Sequence, residues 1–124
     1  MNAEYHGIYA ALVTPYTSEG KVDYKELQKL VNYLIEKGLD GFYVNGSTAE
    51  AFLLSEEERN NIIKAVVEAN AGRKKVICHV GAISTDQAIG YAKNAEKCGA
   101  DAVSAISPFY YKFSEQEIIQ YYQD

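Results

Sequence analysis

The sequence predicts an α/β fold in which four consecutive βα units share one parallel sheet. Short apolar segments alternate along the 124 residues with longer stretches of helical periodicity. Each short segment is too brief for a helix and is apolar on both faces, which is typical of a buried parallel strand. Strict alternation of strand and helix favours right-handed crossovers between neighbouring parallel strands.

The strands and helices can be assigned in chain order. The predicted strands are residues 8–13, 42–44, 76–80 and 102–106. The helices between them are indicated by apolar residues that recur at i, i+3, i+4 and i+7. These stripes are Leu27, Leu30, Val31, Leu34 and Ile35; Ile62, Ile63, Val66, Val67 and Ala71; and Ala88, Ala92 and Ala95. A fourth helix is predicted from Ser114 onwards.

Capping residues mark where these helices begin and end. A capping box pairs a hydroxyl with a carboxylate or amide three residues later. The pairs Ser55–Glu58, Ser84–Gln87 and Ser114–Glu117 fit that pattern, and Asp23–Glu26 fits it with an Asp cap. Glycines at 38, 72 and 99 follow the predicted helix ends, where a left-handed residue is expected.

Four βα units fit two architectures. One is a small doubly wound domain, and the other is half of an eight-stranded barrel, which usually has about 250 residues. The chain contains no linker or low-complexity segment, so residues 1–124 are interpreted as a single domain. In the barrel interpretation that domain is incomplete.

Composition and charge exclude several classes of function. The chain is 48% hydrophobic and 23% charged, as expected for a globular domain. Its net charge of −5, with lysines scattered among acids, argues against a nucleic-acid partner. No transmembrane run is present, and Met1–His6 lacks the features of a signal peptide, so a cytoplasmic location without membrane contact is expected. Cys78 and Cys98 have no metal-ligand spacing and are interpreted as structural.

In both architectures the functional residues are expected in loops that follow the strands. Residues 46–50, GSTAE, offer two successive hydroxyls and a glycine that permits close approach of a ligand, a combination suited to a carboxylate. The alternative is an ordinary helix cap. Tyr110 and Tyr111 offer phenols for proton transfer, although an aromatic packing cluster is favoured from the residues alone. His79 is interpreted as a satisfied core histidine, and Glu50 as a base or, more readily, an acceptor for backbone amides.

These loops resemble the dihydrodipicolinate synthase/N-acetylneuraminate lyase family. The resemblance rests on GSTAE at 46–50, PFYY at 108–111, AALVTP at 10–15 and AVSA at 102–105, and it covers essentially the whole chain. Within the family the chain is most similar to the lyases, which favour Ser-Thr in the second loop and Phe-Tyr-Tyr in the fourth. The resemblance implies that the four units are the N-terminal half of a (β/α)8 TIM barrel.

The resemblance also implies an activity and a set of roles. Members are class I aldolases in which a lysine forms a Schiff base with pyruvate, without a cofactor or metal. The lyases cleave N-acetylneuraminate to N-acetylmannosamine and pyruvate, and a synthase is the alternative. Ser47 and Thr48 would bind the pyruvate carboxylate. Tyr110 would act in a tyrosine relay and reach toward a neighbouring subunit of a homo-oligomer, a tetramer in this family.

Two departures from the family pattern follow. Ala49 occupies a position where the family usually has glycine, and a positive φ there would cost about 1 kcal/mol. The resemblance places the Schiff-base lysine on the sixth strand and its partner tyrosine after the fourth helix, so both are expected outside this chain. Neither Lys75 nor Lys112 matches the family's lysine position. The isolated chain is therefore expected to be inactive, and the rival interpretation is a non-catalytic half-barrel that binds carboxylates or assembles with itself.

Overall fold

The strands and helices alternate as the sequence predicts. The computed structural model describes residues 5–124, so the first four residues of the stretch inspected for a signal peptide lie outside the described residues. The strands are β1 (Tyr9–Ala11), β2 (Gly41–Val44), β3 (Lys75–His79) and β4 (Ala102–Ser104). The α-helices are α1 (Tyr24–Glu36), α2 (Glu56–Asn70), α3 (Thr85–Cys98) and α4 (Glu115–Gln123). Two short 3-10 turns, Ser47–Ala49 and Ala51–Leu53, separate β2 from α2.

The strand order identifies the architecture as a half-barrel. The four strands of residues 5–124 pair in parallel in the order β1-β2-β3-β4. A doubly wound sheet reverses its strand order at a switch point, whereas spatial order follows chain order in a barrel. The predicted fold class, four βα units forming half of a (β/α)8 barrel, is therefore confirmed.

The hydrophobic core lies between one face of this sheet and helices α1 to α3. Alternate residues of the two central strands, Phe42, Val44, Val76 and Cys78, are at most 1% exposed. They share a core with the predicted helix stripes, of which Leu27, Val31, Ile63 and Val66 are fully buried. Each such side chain contributes roughly 1.5–3 kcal/mol through burial. The core therefore fixes which face of each strand points away from the helices.

The opposite face of the sheet corresponds to the barrel interior. Strand register places Ala11, Tyr43, Ile77 and Ala102 side by side on it. The sequence suggested that every strand is buried on both faces. The outer strands β1 and β4 are only partly buried, because within residues 5–124 each has a neighbouring strand on one side only. Val103 in β4, which lies beside Cys78 on the helix-facing side, is 50% exposed.

The helix caps agree with the sequence except at α3. Both parts of the capping box are present at Ser55 and at Ser114, and Asp23 accepts a hydrogen bond from the Glu26 amide. Ser84 occupies the N-cap of α3 but makes no capping side-chain hydrogen bond, so the box predicted there is wrong. At the helix ends, Gly38, Gly72 and Gly99 are left-handed as predicted, and Ala71 is left-handed as well.

A polypeptide of residues 1–124 produced by itself should self-associate, because within residues 5–124 the outer edges of β1 and β4 pair with no strand and carry apolar side chains. Two copies related by a two-fold axis can pair β4 of one with β1 of the other and enclose both inner faces. Size-exclusion chromatography with light scattering at micromolar concentration should show a dimer or larger species. Val103→Lys, which adds a charge to the edge strand β4, should weaken this self-association. A monomer that unfolds cooperatively would contradict this expectation.

Candidate functional site

The loops predicted to carry function lie at one edge of the sheet. Because all four strands are parallel, the segments after β2, β3 and β4 leave the sheet at the same end. Residues 45–50 follow β2, residues 80–84 follow β3, and residues 105–113 follow β4. Below we call residues 45–50 the anion loop and residues 105–113 the tyrosine loop.

The anion loop carries four hydrogen-bond donors that are not used within residues 5–124. Ser47 and Thr48 are exposed and begin the first 3-10 turn. The amides of Ala49 and Glu50 are used within this turn, donating to the carbonyls of Gly46 and Ser47 at 3.1 and 3.0 Å. Within residues 5–124 the amides and hydroxyls of Ser47 and Thr48 form no hydrogen bond. They are therefore available to an external acceptor.

The bends of this loop do not lie at the residues that the sequence suggested. The left-handed residues are Asn45 and Glu50, with φ of 59° and 56°, and they flank the turn. Gly46 has a φ of −80°. It lacks a side chain for a different reason, since a Cβ there would come within 2.6 Å of the Tyr43 ring. Ala49 is not left-handed and is 2% exposed, so the strain expected from its replacement of glycine does not arise.

One contact fastens the anion loop directly, and two more connect the residues on either side of it to β4 and to the tyrosine loop. The Thr14 hydroxyl, after β1, donates to the Ala49 carbonyl at 2.7 Å. On the inner face, the hydroxyls of Tyr43 and Ser104 lie 2.6 Å apart and connect β2 to β4 across β3. The rings of Phe52 and Phe109 meet edge to face with centroids 4.4 Å apart. Each of these contacts joins residues that are distant in sequence, so no local pattern predicts it.

His79, at the end of β3, is a satisfied core histidine, as predicted. Its side chain is 2% exposed. Nδ1 lies 3.0 Å from the Asn45 carbonyl oxygen, and Nε2 lies 3.4 Å from the Ile106 amide nitrogen. A neutral ring with its proton on Nδ1 satisfies both contacts. Burial, helped by the nearby Arg59 charge, lowers the pKa of His79 and favours that neutral form.

Arg59 is a buried cation that the sequence analysis missed. Its side chain is 3% exposed, and its guanidinium donates to the carbonyls of His79 and Gly81 at 3.2 and 3.5 Å. The guanidinium carbon lies 3.8 Å from the centroid of the Tyr91 ring, a cation–π geometry. Burial is the main reason that the pKa of Arg59 is lowered. Its position three residues before Ile62 in the apolar stripe of α2 was the available signal.

The structure does not bring Tyr110 to Ser47 and Thr48. Tyr110 is 84% exposed and left-handed, with a φ of 80°. Its ring meets that of Tyr111 at 5.0 Å, and within the described part of the chain its hydroxyl forms no hydrogen bond. The two tyrosines therefore pack on each other, as the aromatic-cluster interpretation expects, and Tyr111 also meets Phe113 with centroids 6.5 Å apart.

The side chain of Glu50 does not match the favoured interpretation of it as an acceptor for backbone amides. Its side chain is exposed and bonds no backbone amide within residues 5–124, so the favoured expectation is wrong. Its carboxylate lies near the loop after β1, where partial burial and, secondarily, Glu50 and Glu58 raise the pKa of Tyr16. Nothing in this arrangement directs Glu50 toward the hydroxyls of the anion loop.

The remaining candidates lie away from this edge. Lys75 is the first residue of β3, at the opposite end of the sheet, and its ammonium is 2.8 Å from Asp101. Cys78 lies in the core, where burial raises the pKa of its thiol to about 12, and Cys98 is the last residue of α3. Among residues 5–124, no group of acidic, cysteine or histidine side chains is arranged to hold a metal, and no helix is long and apolar enough to cross a membrane.

Comparisons with known proteins agree on one family. The model of the dihydrodipicolinate synthetase family matches residues 4–124. An N-acetylneuraminate lyase of Shigella boydii is 42% identical over 99% of this chain and 41% of its own length. The chain thus spans about two fifths of the curated relatives that it matches.

Solved structures give the same result. The Clostridium difficile protein CdNal, in complex with mannosamine, is 37% identical with a TM-score of 0.94, over 98% of this chain and 42% of that one. A dihydrodipicolinate synthase from Acinetobacter baumannii, complexed with pyruvate, is 38% identical with a TM-score of 0.91, over 94% and 40%.

Glycine substitutions should have opposite effects at two adjacent positions of the anion loop. Ala49→Gly should destabilise the protein by about 0.5–1 kcal/mol, because the native backbone suits alanine and glycine loses more entropy on folding. Glu50→Gly should stabilise it by a similar amount, because glycine adopts a left-handed φ without strain. Chemical denaturation would measure both. A stabilising Ala49→Gly, or a destabilising Glu50→Gly, would contradict this loop geometry.

Proposed function

Because the chain belongs to the dihydrodipicolinate synthetase family, we propose that it forms the carboxylate-binding half of a Schiff-base lyase. The proposed reaction is cleavage of N-acetylneuraminate to N-acetylmannosamine and pyruvate. The observation that carries the proposal is the anion loop, in which Ser47 and Thr48 offer hydroxyls and amides with no partner in residues 5–124. The alternative is another pyruvate aldolase of the family, such as a dihydrodipicolinate synthase.

A carboxylate suits this loop for physical reasons. A carboxylate accepts several hydrogen bonds, and bonds to a charged group contribute about 1.5–3 kcal/mol each. The turn Ser47–Ala49 holds the two residues in a fixed conformation, supported by the Thr14 hydroxyl at the Ala49 carbonyl. The loop is therefore organised before the ligand arrives, which reduces the entropy lost on binding.

In the proposed mechanism, a lysine amine attacks the ketone of the substrate and water leaves, forming a protonated imine. A base removes the proton of the hydroxyl next to the breaking carbon–carbon bond, the imine accepts the bond's electron pair to become an enamine, and the sugar departs as an aldehyde. Protonation of the enamine carbon and hydrolysis of the resulting imine release pyruvate and the lysine amine. We assign this lysine to a segment outside residues 1–124. Lys75 lies at the wrong end of the sheet and is paired with Asp101, and Lys112 is exposed in the tyrosine loop.

We assign Tyr110 to proton transfer in a neighbouring subunit. Its left-handed backbone and 84% exposure carry the phenol away from its own sheet. A phenol presented in this way can complete a site on another copy of the protein, which supports a homo-oligomer as the active species. The tetramer implied by the family resemblance is the form that we propose.

Borohydride trapping tests this assignment. The full-length protein, incubated with pyruvate and borohydride, should gain one reduced pyruvate adduct on a lysine outside residues 1–124. The 124-residue polypeptide should gain none. Release of pyruvate from N-acetylneuraminate, compared with condensation of pyruvate with aspartate semialdehyde, separates the lyase from the synthase. A stoichiometric adduct on any lysine of residues 1–124, or none on the full-length protein, would contradict the proposal.

Substitutions in the full-length protein test the anion loop separately. Thr48→Ala should weaken pyruvate binding by roughly 1–3 kcal/mol, because a hydrogen bond to a charged group is lost. Ser47→Ala should have a similar or smaller effect. Ser18→Ala, which removes an exposed hydroxyl between β1 and α1, is the matched control and should leave the affinity unchanged. If neither loop variant alters pyruvate affinity, the loop is only a helix cap.

A further inference from the structure

His79 lies beneath both loops of the candidate site. Its Nδ1 contacts the carbonyl of Asn45, the residue immediately before Gly46, at 3.0 Å. Its Nε2 faces the amide of Ile106 at 3.4 Å, just before the tyrosine loop turns away from β4. Strands β2 and β4 are not neighbours, because β3 lies between them. One side chain on the intervening strand therefore bridges two loops that do not pair with each other.

The surroundings of the ring hold it in one position. A Cβ on Gly81 would lie 2.8 Å from Nε2 and 3.0 Å from the Ile106 nitrogen, so the glycine makes room for this contact. The Phe52 ring meets the imidazole edge to face with centroids 6.0 Å apart, and the Tyr43 ring lies at 6.3 Å. Asn45 is left-handed, and its side-chain amide is held by the Arg59 carbonyl at 2.9 Å. Both the ring and the carbonyl that it contacts are thus fixed.

From this geometry we propose that His79 is a positioning residue that keeps the anion loop and the tyrosine loop in register, and that its protonation releases them. The bridge needs one donor and one acceptor, which only the neutral imidazole provides. A proton on Nε2 would turn the acceptor for the Ile106 amide into a second donor. The consequence for catalysis rests on the function proposed above, but the coupling of the loops does not.

The charges around the ring set the direction of the pH effect. The charged group that faces it is the Arg59 guanidinium of α2, bonded to the His79 carbonyl, and Tyr43 of β2 is the nearby titratable ring. Burial first, and Arg59 second, lower the pKa of His79 from its usual 6.5. The unfolded chain therefore binds the proton more readily. The stabilisation from His79 is complete above pH 6.5 and is lost as the pH falls toward the lower folded-state pKa.

Two substitutions separate the bridge from mere packing. His79→Gln keeps a donor and an acceptor on one planar group but cannot be protonated near neutral pH. His79→Phe keeps a planar ring and removes both polar atoms. Cys78→Ala is the control, because Cys78 is an equally buried neighbour on β3 that lies in the core, and its side chain forms no hydrogen bond with either loop within residues 5–124.

Hydrogen exchange of the full-length protein, followed by mass spectrometry without substrate, measures the coupling. At pH 7, His79→Phe should raise exchange in both loops together by about tenfold, the effect of one lost hydrogen bond. His79→Gln should stay near wild type. When the pH is lowered from 7 to 5, the exchange rates of both loops, corrected for intrinsic rates, should rise in the wild-type protein. They should not rise in His79→Gln.

Several results would overturn the proposal. One is loop exchange in His79→Phe no greater than in Cys78→Ala. Another is a rise in exchange confined to one loop in His79→Phe. A third is an equal rise in loop exchange in wild type and His79→Gln at low pH. If His79→Phe does not fold, the comparison of wild type with His79→Gln across pH still tests whether protonation of His79 releases the two loops. Because no substrate is present, a protein without lyase activity would contradict the proposed function and leave this test intact.

Discussion

Side-chain alternation along β2 and β3 is the constraint on which the rest of the structure depends. Burying Phe42 and Val76 against the helices sends their neighbours Tyr43 and Ile77 to the opposite face. The same alternation continues to Cys78 and His79, so the core and the histidine bridge are fixed by one register. A slip of one residue would bury Tyr43 among the helices and expose the core. The position of the candidate site is therefore a consequence of how the core packs.

The buried polar groups at the ends of the strands extend this constraint to the loops. Arg59 enters the core from α2 and satisfies the carbonyls of His79 and Gly81. Leaving those carbonyls without partners would cost about 1–3 kcal/mol each, whereas a guanidinium with several donors can serve both. The charge is compensated in part by the face of Tyr91. A helix side chain thus supports the turn after β3, and through His79 the loops on either side.

Local signals in the sequence predicted the elements well and the details of the site less well. The capping boxes were predictable because each involves two residues three positions apart. In each box a serine hydroxyl, of Ser55 or Ser114, pairs with the glutamate that follows it. At Gly46 the structure adds a reason for glycine that no local pattern indicated, since a Cβ there would come within 2.6 Å of the Tyr43 ring. The His79 bridge joins residues 34 and 27 positions apart. Such contacts depend on strand register, which no local pattern specifies.

The central claim is that this chain supplies the carboxylate-binding half of a pyruvate-dependent lyase. A crystal structure of the full-length protein soaked with pyruvate tests it most directly. We expect the pyruvate carboxylate within hydrogen-bonding distance of the hydroxyls and amides of Ser47 and Thr48, and the second carbon of pyruvate bonded to a lysine outside residues 1–124. Pyruvate bound elsewhere, or its carboxylate held by other residues while Ser47 and Thr48 face solvent, would contradict it.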